Sequence, residues 1–127
     1  IKGIAMIKIP DTLQEVFDIV STHLLKQVKR SMGKVLKIET ETCAYRGKNE
    51  MKCAAGALIP DDQYKSVFEG SFWEDLARME FVEPKFVEEI SELQSIHDEN
   101  HNDDVDYLKT KLVKFAETHN LQINFEV

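Results

Sequence analysis

Apolar positions along this chain fall into short patterned stretches divided by polar or glycine-containing breaks. Leu13, Val16, Phe17, Val20, Leu24 and Val28 recur at three- and four-residue spacing, which predicts an amphipathic helix from about Thr12 to Ser31. Pro10 opens it, Asp11 with Gln14 reads as a capping box, and Gly33 closes it. Lys34 to Thr42 alternates weakly through Val35 and Ile38, as a strand or an extended connection would. Cys43–Arg46 and Met51–Ala54 flank Gly47-Lys48-Asn49-Glu50, a spacing that predicts a short hairpin. The small apolar run from Ala55 to Ile59 suits a closely packed helical turn or buried crossing, stopped by Pro60-Asp61-Asp62.

Further along, Ser71 with Glu74 forms a second capping-box pattern, placing Phe72, Leu76 and Met79 on one helical face. Pro84 suits the first turn of a third helix whose inner side carries Phe86, Val87, Ile90, Leu93 and His97. Asp98 to Asp104 has no apolar residue and reads as a solvated loop ending in an N-cap. Val105, Leu108, Leu112, Phe115 and Ala116 mark a fourth helix with Asn120 as its C-terminal cap. Leu121, Ile123, Phe125 and Val127 then alternate with polar residues as a half-buried strand does. A lone strand leaves its backbone groups unpaired, so the pattern predicts that this strand joins the hairpin. The fold expected is a single α+β domain over residues 6–127, with about four helices packed around a small antiparallel sheet made by the central hairpin and the C-terminal strand. Residues 1–5 read as upstream sequence.

With 127 residues, 43% of them hydrophobic, the chain can fill one core without staples. No apolar run approaches the roughly 18 to 20 residues that span a bilayer, and no signal-peptide pattern opens the chain. A cytoplasmic protein without a membrane role is expected. The two cysteines suit a reducing compartment, as buried thiols rather than a disulfide.

The net charge of −7 is unevenly distributed. From Lys26 to Lys52 there are eight cations against three anions, whereas from Pro60 to Tyr107 fifteen acids face three cations. A net-acidic surface repels nucleic acid, so general nucleic-acid binding is not expected, and the acidic half suits a basic partner.

Candidate chemistry clusters around the cysteines. Arg46, Lys48 and Lys52 beside Gly47 and Gly56 have the composition of an anion cradle, with Cys53 and His97 as the nearest reactive groups, yet no phosphate-loop pattern is present. The bland counterpart is an exposed hairpin whose cations pair with Glu39, Glu41 or Asp61, with Arg46 able to turn inward and order Asp61 or Asp62. A nucleophilic Cys43 or Cys53 would need exposure and a lowered pKa. His97-Asp98-Glu99-Asn100-His101 comes near a zinc-helix spacing but has Asp where the glutamate base belongs and runs into a loop. No metal site, cofactor or catalytic residue is therefore assigned. Glu74, Asp75, Glu88, Glu89, Glu92, Asp103 and Asp104 read as a solvated acidic helix face that would also steer a basic partner, with Trp73 and Phe72 either as aromatic anchors or, the reading their setting favours, one or both in the core, Phe72 lying on the apolar stripe.

Cys43-Ala44-Tyr45-Arg46-Gly47, Lys52-Cys53-Ala54-Ala55-Gly56-Ala57-Leu58-Ile59-Pro60-Asp61-Asp62, Glu69-Gly70 and Leu93-Gln94-Ser95-Ile96-His97-Asp98, together with the opening helix, form a pattern. It resembles a family of small uncharacterised proteins found in bacteriophages and proteobacterial genomes. The likeness covers most of the chain from about Pro10. It implies a phage or mobile-element setting, hence a host cytoplasm, where many small acidic proteins act by binding host factors. The leading expectation is a non-enzymatic acidic binding protein that engages a host protein through its acidic helical surface. The alternative is a binder or hydrolase of a small anionic, nucleotide-like ligand at Arg46, Lys52 and Cys53.

Overall fold

A computed structural model describes residues 6–34 and 41–127. Helix α1 (Leu13–Gln27) buries Val16, Phe17, Val20 and Leu24, the centre of the expected stripe. Its cap lies one residue later than the sequence suggests: the Thr12 hydroxyl accepts from the Glu15 amide (3.1 Å) and donates to the Glu15 carboxylate (3.3 Å). The helix also stops earlier, at Val28, whose φ is 61°. Gly33, expected as the stop, instead lies in β1 (Met32–Lys34).

β1 pairs antiparallel with β2 (Glu41–Cys43), Met32 facing Cys43. The sheet is therefore small and antiparallel, as expected, but its strands are different ones. Val35, Ile38 and Glu39 fall outside the described residues. No ladder joins 43–46 to 51–54; Gly47 donates to the Met51 carbonyl (2.8 Å) around a single turn, Lys48–Glu50. The reason is competition for donors. The Ala44 amide goes to the Ser31 carbonyl, and those of Tyr45 and Arg46 go to the Glu69 carboxylate. Gly47 also packs so closely on the strand before it that a Cβ there would meet the Ser31 hydroxyl at 2.4 Å.

The Ala55–Leu58 turn packs its small residues against α1 and the helix α3 (Val87–Asp98), as their size suggested. Two further single turns, Asp61–Gln63 and Ser66–Phe68, lead to α2 (Trp73–Arg78). Here the inner face is Trp73 and Leu76; Phe72 sits at the N-cap, 74% exposed, and Met79 is exposed too. No side chain caps α2, so the Ser71–Glu74 box does not form. Leu76 is three residues from one aromatic and four from the other, so spacing alone does not choose; the larger ring packs inward against Tyr45 (centroids 6.4 Å apart).

α3 starts three residues after Pro84 because Phe86 adopts a left-handed conformation (φ 55°). Its Ile90, Leu93 and His97 are buried as expected, with Phe86 and Val87 only half-buried. α4 (Val105–Thr118) is capped by Asp104, which accepts from the Asp106 and Tyr107 amides, and buries Leu108, Leu112, Phe115 and Ala116. Asn120 (φ 57°) ends it, with the Leu121 amide reaching back to the Ala116 carbonyl (2.8 Å). Phe17 of α1 stacks on Phe115 of α4 (5.7 Å) at the centre of the core.

The C-terminal segment keeps its alternation, with Leu121, Ile123 and Phe125 half-buried on that core, but it is no strand. Side chains of α1 replace the sheet partner. Gln14 donates to the Gln122 carbonyl (3.0 Å) and accepts from its amide (2.8 Å), and the Asn124 amide group donates to Asp18 (3.1 Å). Near the other end, Ile7 forms one parallel bridge to Val82. Among the described residues no helix is long and apolar enough to cross a membrane.

Candidate functional site

Arg46 is folded inward and both terminal nitrogens of its guanidinium are engaged. One terminal nitrogen donates to the carbonyls of Tyr45 (3.1 Å) and Gly56 (2.9 Å), the other to the Ile59 carbonyl (2.6 Å) and Asp61 (3.0 Å). The group also lies over the Tyr64 ring, 5.0 Å from its centroid. Lys52 reaches the same Asp61 oxygen at 3.1 Å, and its hydrogen bond, with the charge of both cations, holds the Asp61 carboxyl below its usual pKa. Arg46 thus fastens the chain at 45, 56, 59 and 61, as its inward turn suggested. This requires glycine at 56, where a Cβ would sit 2.5 Å from the Tyr45 carbonyl oxygen. The basic and acidic halves of the chain meet here rather than keeping to separate faces. Lys48, grouped with these cations in the sequence, lies in the exposed Lys48–Glu50 turn.

Glu69, which sequence reasoning passed over as a site residue, holds the other side of the same junction. Its carboxylate accepts from the Tyr45 and Arg46 amides (both 3.0 Å) and from the Tyr64 hydroxyl (2.6 Å). Burial, then this bond, pushes the Tyr64 phenol above its usual pKa.

Both cysteines are free thiols. Cys53 is 1% exposed and accepts from the Gly56 amide (3.2 Å); burial pushes its pKa up to about 12. Cys43 is half-buried beside Met32, and burial followed by the nearby Asp98 charge pushes it up to about 11. A thiol that holds its proton at neutral pH is a weak nucleophile.

His97 takes no part in Arg46's hydrogen-bond network and instead contacts the segment after α1. The Ser31 amide donates to its Nε2 (2.8 Å), so that nitrogen bears no proton and Nδ1 donates to Asp98 (2.7 Å). Donor atoms of Cys43, His97 and Asp98 lie within 4.8 Å of one another. Coordination through Nε2 would orphan the buried Ser31 amide, and through Nδ1 would leave an imidazolate, so this trio is wired as a hydrogen-bonded cluster rather than a ligand set. His101 is exposed beyond the helix end and does not join it.

An opening lies beside the two cysteines. A cleft of about 640 Å³ runs between β2 with Tyr45, the residues 70–74 and the outer side of α3. Cys43, Cys53, Tyr45, Phe72, Trp73, Glu74, Ser91, Gln94, Ser95 and Asp98 contribute to its wall. Gln94 is pinned by accepting from the Ala55 amide (2.9 Å) and donating to Asp98 (2.8 Å), while the Tyr45 hydroxyl donates to the Ser71 carbonyl (2.6 Å). Trp73 is 2% exposed and its indole N–H finds no acceptor among the described residues. It is part of the core and of this wall, not an exposed anchor; Phe72 takes the exposed position.

Of the acidic residues, Asp75 pairs with Arg78, Glu92 lies 3.5 Å from His119, and Asp104 is occupied in capping α4. Glu74, Glu88 and Asp103 are exposed and Glu89 is half-buried, and none of these four makes an ion pair among the described residues. No protein-family model, curated protein or solved structure matches this chain.

Proposed function

We propose that this is a non-enzymatic binding protein that engages a basic partner protein through the acidic face of α2 and α3, in the phage or mobile-element setting that its sequence pattern implies. The observation that carries this reading is that Glu74 of α2 and Glu88 and Glu89 of α3 make no ion pair among the described residues, while the cations of the basic segment at Arg46 and Lys52 are held by Asp61. Unpaired surface carboxylates raise the encounter rate with a cationic surface and set its salt dependence. A weak nucleophile at both thiols supports binding over catalysis. An anionic ligand at Arg46, Lys52 and Cys53 would first have to displace Asp61 and the carbonyls of Gly56 and Ile59.

Affinity capture from the native host at low and high salt, with the wild-type chain and a Glu88→Lys variant, tests this. A partner retained at low salt, released at high salt and weakened about tenfold by Glu88→Lys is the expected result. A partner set unchanged by salt and by the charge reversal overturns it.

A further inference from the structure

The charged residues that line the cleft beside β2, among the described residues, are two carboxylates, Glu74 and Asp98, with Arg30 reaching Cys43 at its edge. Asp98 is fixed in place by His97 and Gln94, neutral donors to the same oxygen that orient its carboxylate. Trp73 adds an aromatic ring to the wall, and its buried N–H has no acceptor among the described residues. Phe72, 74% exposed, adds apolar surface at the same wall.

The geometry points to this cleft as the seat of an arginine side chain presented by the partner protein. This rests on the acidic-face reading and names what that face grips. A guanidinium is planar, offers donors only and suits both carboxylate and aromatic neighbours, where an ammonium is a strongly hydrated point charge. The volume admits the side chain together with its flanking backbone.

Trp73 is the sole tryptophan of the chain, so indole fluorescence reports on this wall alone. The test titrates the full chain with a terminally blocked Gly-Gly-Arg-Gly-Gly peptide and with its citrulline and lysine counterparts, following Trp73 emission and, in parallel, heat of binding. The arginine peptide is expected to bind saturably with a change in Trp73 emission, at least tenfold tighter than either counterpart, and to weaken at least tenfold in Asp98→Asn. That substitution keeps an oxygen acceptor for His97 and Gln94; Glu74→Gln, at an exposed position, is the second variant and is expected to weaken binding severalfold. Heat without an emission change, equal binding of citrulline or lysine, insensitivity to both variants, or no binding of the arginine peptide overturns the assignment. If the peptide fails while the captured partner still responds to salt and Glu88→Lys, the cleft falls and the acidic face stands; the reverse result removes the acidic face and keeps the cleft.

Discussion

The junction around Arg46 and the cleft beside Trp73 lie on either side of the same Tyr45 backbone, yet they differ in how completely their polar groups are matched. At the junction, a cation, two carboxylates and several carbonyls are joined to one another: Arg46 to Asp61 and three backbone oxygens, Glu69 to two amides and a hydroxyl. At the cleft a buried indole N–H lacks an acceptor among the described residues, and the two carboxylates of the wall form no ion pair there with a lysine or arginine. The residues with the most reactive-looking composition are the ones that hold the fold together. The unmatched ones sit where the sequence shows only a tryptophan on a short helix and an aspartate after a histidine.

Substitutions sharpen this contrast by separating stability from binding. Arg46→Ala has the largest expected effect: it leaves the Gly56 and Ile59 carbonyls without their charged donor and should lower unfolding free energy by about 3 kcal/mol, measured by urea denaturation. It should leave arginine-peptide affinity unchanged under conditions where the variant is folded; a selective loss of that affinity would merge the two regions into one site.

A middle-sized effect is expected at alkaline pH. Cys43 and Cys53 have folded-state pKa values raised by burial, to about 11 and about 12, and the phenols of Tyr45 and Tyr64 are raised in the same direction. For acids whose folded pKa lies above the unfolded one, stability is intact below the unfolded value and is lost as pH climbs through the folded one. Melting temperature should therefore hold up to about pH 9, the unshifted thiol value, and fall between there and about 12; Cys53→Ala should make that fall shallower. Aromatic-disulfide labelling at neutral pH should modify Cys43 slowly and Cys53 only on unfolding; rapid labelling of both would contradict the inert thiols on which the binding reading relies. Glu74→Gln has the smallest expected effect on the fold, within about 0.5 kcal/mol, because the side chain is exposed and pairs with no cation among the described residues. A larger loss would place Glu74 in the scaffold rather than in the cleft.

Helical order was legible because it depends on residues close in the chain. The stripes Val16-Phe17-Val20-Leu24 and Leu108-Leu112-Phe115 name their own buried faces, and Asp104 and Asn120 mark the limits of α4. Arg46's inward turn to Asp61 was also within reach, being a contact across fifteen positions of a compact block. The sheet was misread because strand pairing depends on what else claims the amides. Nothing near Tyr45 in the chain announces that Glu69, twenty-four residues on, will take its N–H. The alternation at 121–125 correctly gives which residues turn inward, but not that Gln14 would substitute for a neighbouring strand. For the cleft the missing information is an absence, an indole without an acceptor, which no local pattern displays.

Fastening 121–125 to α1 through Gln14, Asp18 and Asn124 makes that stretch a strap held by detachable pins instead of a woven edge. A woven edge loosens only when its neighbour gives way, but pins can release one at a time. Loss of the Gln14 and Asp18 bonds would therefore free this stretch, and with it Phe125 from its place against Phe17, without any helix having to unwind.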